Sequence, residues 1–124
     1  MEDRHRIAVV DDNGDNRMLL KAMLSKQFTV DLYSDGESAL LGMVDTPPGV
    51  VLLDISMPYM DGPTVLAKMR RDAALKDLPV VALTAHAMCG DRERFLALGF
   101  SAYVSKPIVD WDSLRETLAA LLAG

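Results

Sequence analysis

Val50, Val51, Leu52 and Leu53 form an unbroken apolar run that ends abruptly at an acid, Asp54. A strand sends alternate side chains to opposite faces. A run without alternation must therefore be buried on both faces, as in a parallel sheet covered by helices on each side. Residues 7–10 repeat the pattern and end at Asp11 and Asp12. Residues 80–83 repeat it again before Thr84. Residues 28–33 and 102–104 complete five predicted strands.

Between these runs the apolar spacing changes to that of helices. Met18, Leu19, Ala22 and Met23 share one face of a predicted helix over residues 16–25. Residues 37–44 read as a second helix, closed off by Pro47, Pro48 and Gly49. Val65, Leu66 and Met69 mark a third, with Pro63 placed as its first residue, where a missing N–H costs nothing. Residues 92–98 form a fourth, ended by Gly99. Residues 111–122 form a fifth, with Asp110 as its N-cap. Strand alternating with helix five times predicts an α/β domain around a parallel sheet. The 124 residues are spent on that one sheet, so residues 1–124 are read as one domain.

Composition excludes several function classes. Half the residues are apolar and the formal net charge is −5. Lys and Arg are scattered among acids, which argues against a nucleic-acid surface. No segment approaches the ~20 continuous apolar residues of a membrane span. Residues 1–6 are polar, unlike a signal peptide. The single cysteine, Cys89, has no disulfide or zinc-ligand companion and reads as a small filler. These features predict a cytoplasmic protein without membrane insertion. The eight methionines read mainly as core filler, with Met57 and Met60 beside the loop after Asp54. His5 reads as a solvated terminal residue.

In an open parallel sheet, ligands bind beyond the carboxyl ends of the strands. Those ends deliver Asp11 and Asp12, Asp54, Thr84, and then Ser105 and Lys106. Clustered carboxylates repel one another in a cleft and call for a cation. Oxygen donors of this kind suit Mg²⁺. Lys106 adds a positive charge able to reach a phosphoryl oxygen, and Thr84 a hydroxyl. Asp54 is left as a nucleophile, since a carboxylate can form an acyl phosphate. Phosphoryl transfer needs little beyond positioning and charge stabilisation.

The order Asp11-Asp12-Asn13, then Asp54-Ile55-Ser56-Met57-Pro58-Tyr59-Met60-Asp61-Gly62, then Ala82-Leu83-Thr84-Ala85, then Tyr103-Val104-Ser105-Lys106-Pro107 resembles the receiver domain of two-component response regulators. The resemblance covers essentially the whole chain. Residues 82–88, followed by Gly90, Asp91 and Arg92, are similar to receivers attached to hybrid histidine kinases and to some stand-alone ones.

This resemblance implies a flavodoxin-like, doubly wound (βα)5 fold with sheet order 2-1-3-4-5. It implies phosphorylation of Asp54 by a histidine kinase or histidine phosphotransfer protein, in a phosphorelay, with Mg²⁺ as cofactor and Mn²⁺ as a substitute. Asp12 and Asp54 are the implied direct metal ligands, with the backbone carbonyl of Ser56, and Asp11 acting through water. Lys106 is implied to pair with the phosphoryl group across a cis bond to Pro107. Thr84 and Tyr103 are the implied switch pair, read out on a surface of the fourth helix, fifth strand and fifth helix by a downstream protein target. Homodimerisation on phosphorylation belongs to the same expectation. Ser56 and His86 flank the site and are expected to tune phosphoryl lifetime. The chain is thus read as a regulatory phosphoacceptor rather than a turnover enzyme, and its Met1 start leans toward a stand-alone regulator.

Three other readings compete. A small-molecule phosphatase or phosphotransferase of the haloacid-dehalogenase type also uses a strand-end Asp, but expects a second Asp two residues on, where this chain has Ser56. A nucleotide or flavin module expects a glycine-rich loop after the first strand, where Asp11 and Asp12 stand instead. A phosphorylation-independent scaffold would not need the full set of site residues.

Overall fold

A computed structural model describes residues 5–85 and 90–123. The five strands are β1 (Arg6–Val10), β2 (Thr29–Tyr33), β3 (Val50–Asp54), β4 (Val80–Thr84) and β5 (Ala102–Ser105). They alternate with α1 (Gly14–Leu24), α2 (Gly36–Asp45), α3 (Gly62–Arg70), α4 (Asp91–Leu98) and α5 (Trp111–Ala123). All neighbouring strands are parallel, in the order β2-β1-β3-β4-β5. The chain steps from β1 outward to β2, then back across β1 to β3. Strand order therefore reverses between β1 and β3, which places a crevice at the carboxyl ends of those two strands.

The strand alternation sorts two cores. Ala8, Val10, Val51, Leu53, Val80 and Ala82 face one side, against Met43 of α2, Val65 and Met69 of α3, and Phe95 of α4. Ile7, Val9, Val50, Leu52, Val81 and Leu83 face the other, against Leu20 and Leu24 of α1 and Leu114 and Leu118 of α5. β3 and β4 are buried at every residue, as their unbroken apolar runs require. β2 is only half-buried because it lies at an edge. Truncating a fully buried member such as Met43 or Leu118 to alanine costs roughly 2–5 kcal/mol.

Side-chain caps set the helix starts. α1 begins at Gly14, two residues ahead of the predicted start, because the Asn13 side chain accepts from the Asn16 N–H and pulls the intervening residues into the first turn. Asp35 caps α2 through the Ser38 N–H, and Asp61 caps α3 through the Thr64 N–H. With Asp61 as the cap, Gly62 is the first helical residue and Pro63 the second, one place later than predicted. Asp110 accepts from the Ser113 N–H at the start of α5, as its place before the helix suggested. α4 ends at Gly99, whose φ of +111° is left-handed and suits glycine. Among the described residues, no helix is long and apolar enough to cross a membrane.

Candidate functional site

β1 and β3 each end in acid at the same edge of the sheet. Asp11 follows β1 directly and is fully buried; Asp12 is exposed; Asp54 closes β3 with 3% of its surface exposed. Each of these three carboxylates can offer one oxygen such that all three lie within 4.8 Å of one another. Two register facts produce this. Val10 pairs with Leu53 across the ladder, so the next residue on β1 and on β3 reaches the crevice together. Every residue of β3 is buried, so the Asp54 carboxylate sits within the crevice rather than out in bulk water.

Lys106 partly offsets this negative charge. Its Nζ lies 3.4 Å from Asp11 Oδ2 and 3.4 Å from Asp54 Oδ2. The Lys106 N–H donates to the Thr84 carbonyl at 2.7 Å, which ties the residue to the end of β4. The Lys106–Pro107 peptide bond is cis. Even so, three carboxylates face one ammonium. Burial is the main cause that pushes the Asp54 carboxyl up to about 6, with the charge of Asp11 adding to it. Lys106 and the Ser56 N–H, which donates to Asp54 Oδ1 at 3.2 Å, act in the opposite direction.

A site made of carboxylate oxygens, buried and crowded enough to disfavour ionisation of Asp54, fits a hard divalent cation. Such a cation would relieve the repulsion that the fold imposes. Sulfur or imidazole donors, which would favour softer metals, are absent from the cluster among the described residues.

The other residues singled out in the sequence fall around this centre. Thr84 ends β4 and is buried. Tyr103 lies on β5, half-buried, with its ring 5.9 Å from that of Phe95 on α4. Ser56 is exposed on the loop after β3. Pro107 lines an open cavity of about 390 Å³ together with Asn13, Asp15, Asn16, Leu19, Ala85 and Lys106. His86, like Cys89, lies outside the described residues.

Sequence reasoning missed two contributors. The Asn16 side chain donates to Asp11 Oδ2, and Arg17 Nη1 donates to the Asp11 carbonyl at 2.7 Å. The available signal was positional: polar residues in the first turn of a helix fold back over the strand end that precedes it.

The family model for the response regulator receiver domain matches residues 7–119. Response regulator PleD of Caulobacter vibrioides is 42% identical over 106 residues, covering 85% of this chain and 23% of that protein. Response regulator Rre1 of Synechocystis is 40% identical over 119 residues, covering 94% and 51%. The chain thus spans at most about half the length of these curated relatives. Among solved structures, the receiver domain of the sensor histidine kinase PA1611 from Pseudomonas aeruginosa, described with a magnesium ion coordinated in its active site cleft, superposes with a TM-score of 0.88. It shares 29% identity, covering 98% of this chain and 100% of that one.

Proposed function

The chain belongs to the response regulator receiver domain family of two-component systems, and from that premise we propose that Asp54 is its phosphoacceptor. The observation that carries this reading is the buried Asp54 carboxylate at the strand-order switch, bridged to Asp11 by the Lys106 ammonium.

The role of the domain is regulatory, and receiver domains work with histidine kinases. The donor is a phosphohistidine on such a kinase or on a phosphotransfer protein. An Asp54 oxygen attacks phosphorus, the P–N bond breaks, and the electron pair stays on the imidazole, which takes up a proton. The product is an acyl phosphate on Asp54.

The chain's own residues supply most of what this step needs. The fixed end of β3 orients the attacking oxygen. Lys106 neutralises charge on the phosphoryl oxygens. Thr84, at the neighbouring strand end, offers a hydroxyl to another. Mg²⁺ fits the donor set: Asp12 and Asp54, with the Ser56 carbonyl, would hold it, Asp11 would act through water, and the ion would supply further charge neutralisation. Mn²⁺ can replace it. Ser56 and His86 tune the lifetime of the acyl phosphate.

The acyl phosphate adds roughly −1.5 to −2 charge. That charge favours the arrangement in which Thr84 and Lys106 approach it, and Tyr103 turns inward into the space that Thr84 vacates. The altered face of α4, β5 and α5 is read by a downstream protein or by a second copy of the chain.

Intact mass measurement after incubation with acetyl phosphate and Mg²⁺ tests this reading. One added phosphoryl group is expected, and none in Asp54→Asn. An unmodified wild-type protein, both here and with a competent kinase, would refute it, as would modification of the variant.

A further inference from the structure

Asp11 is more heavily committed than its two neighbours. Its carboxylate is fully buried. Oδ1 accepts from the Asn13 N–H at 2.9 Å. Oδ2 accepts from Asn16 Nδ2 and lies 3.4 Å from Lys106 Nζ. A carboxylate has roughly four lone-pair positions. Three are therefore taken by this chain's own donors, and Asp11 has room for about one more contact. Asp12, by contrast, is exposed, and among the described residues the Asp54 oxygens have one contact each, to the Ser56 N–H and to Lys106.

Asn16 is the donor in this set whose side chain can be exchanged without disturbing a second site contact. Its own backbone N–H donates to Asn13 Oδ1 at 2.9 Å, which fixes the first turn of α1 and aims the amide at Asp11. The Asn13 N–H is backbone and cannot be removed by substitution. Lys106 is shared with Asp54.

We propose that Asn16 is a positioning residue that sets the cation preference of the acidic site, by occupying Asp11 Oδ2 and so restricting direct carboxylate coordination. The inference rests on the cation site of the preceding subsection. Mg²⁺ is small, binds through one or two carboxylates and keeps most of its waters. Ca²⁺ requires six to eight oxygens and accepts bidentate carboxylates. A site in which Asp11 is held back suits the first and starves the second. Without the Asn16 amide, Asp11 gains a second free lone pair and can serve the larger ion.

The test measures dissociation constants for Mg²⁺ and for Ca²⁺ by titration calorimetry on the unphosphorylated chain. Wild type is compared with Asn16→Leu, which keeps the shape and removes the donor, and with Asn16→Gln, which restores a donor. The ratio of the Ca²⁺ to the Mg²⁺ constant should fall about tenfold in Asn16→Leu, the size of one charge-assisted hydrogen bond, and return part of the way in Asn16→Gln. A change in overall fold would weaken both ions together and leave the ratio alone, so a ratio within twofold of wild type overturns the proposal. Should Asn16→Leu not fold, Asn16→Ala carries the same test, since alanine favours the helix. Absence of saturable Mg²⁺ binding in wild type overturns the cation site itself, and this inference with it. Saturable binding with an unchanged ratio overturns this inference alone.

Discussion

Replacing Asp54 with asparagine should make the cation-free protein more stable. Asparagine keeps the shape of the side chain and an acceptor for the Ser56 N–H. What disappears is a charge held in a buried crevice beside Asp11. Burial first, and Asp11 second, push that carboxyl from its ordinary 3.8 up to about 6, with the opposing pull of Lys106 already included. An acid that is harder to ionise in the folded chain than in the unfolded one costs stability once ionised. The penalty is absent below the unfolded value, grows between 3.8 and about 6, and is complete above it. A shift of this size sets an upper bound of roughly 3 kcal/mol at pH 8, reduced by solvent screening at the crevice mouth, and about a third of that at pH 4.5. The new amide must find acceptors near Asp11 and Asp12, which trims the gain to roughly 1–3 kcal/mol. Urea unfolding in the presence of a chelator is the assay. With a slope of about 2 kcal/mol/M, the midpoint of Asp54→Asn should lie about 1 M above wild type at pH 8 and much closer at pH 4.5. Adding Mg²⁺ at ten times its dissociation constant should return about 1.4 kcal/mol to wild type and less to the variant. A variant no more stable than wild type at pH 8, or one whose advantage is the same at both pH values, refutes the electrostatic origin of the effect.

Other perturbations separate the remaining contributions. Lys106→Met removes the ammonium between Asp11 and Asp54 and should destabilise the cation-free chain by roughly 1–3 kcal/mol at pH 8, with most of the loss recovered in Mg²⁺; chemical denaturation with and without the ion reads this directly. A Cβ at Gly62 would sit 2.7 Å from the Asp54 carbonyl oxygen and 2.8 Å from Ile55 Cα, so Gly62→Ala should cost roughly 1–3 kcal/mol and slow labelling by acetyl phosphate, because the backbone that must yield carries Asp54. Tyr59 is fully exposed with φ at +67°, so Tyr59→Asn should raise the melting midpoint by a few degrees, about 0.5–1 kcal/mol, and leave labelling unchanged. Asp61→Ala removes the cap that accepts from the Thr64 N–H and should cost about 1 kcal/mol, measured by the same unfolding experiments.

Much of this architecture is legible in the sequence because β3 and β4 are buried on both faces, and few folds other than a covered parallel sheet can hold an unbroken apolar run so short. The strand ends then name the site: Asp11, Asp12, Asp54, Thr84 and Lys106 are each the first polar residue, or nearly so, after such a run. The edge strands read less clearly. β2 is half-buried throughout, and Phe28, which looks like part of it, instead donates its N–H to Leu24 at the end of α1. Helix starts differ from the sequence reading by one or two residues where a cap decides them, as at Asn13 and Asp61. Periodicity reports which face is apolar, whereas a cap depends on one side chain turning back on one N–H. The part played by Asn16 is hidden for the same reason: its contact with Asp11 is a matter of side-chain direction, and spacing alone does not show it.

The ion pair between Asp11 and Lys106 joins residues 95 positions apart in the chain. Asp11 follows the first strand to be made and Lys106 follows the last. Closing so long a loop carries an entropic cost that only a complete sheet offsets. A chain folded as far as β4 would hold three acids and no ammonium among them, the arrangement with the strongest repulsion and no means to accept a phosphoryl group productively. The proposed phosphoacceptor site is thus complete only when β5 has joined the sheet. A nascent or clipped molecule that lacks β5 should fail to take up a phosphoryl group, and a version divided between α3 and β4 should regain phosphorylation only when its two halves reassociate.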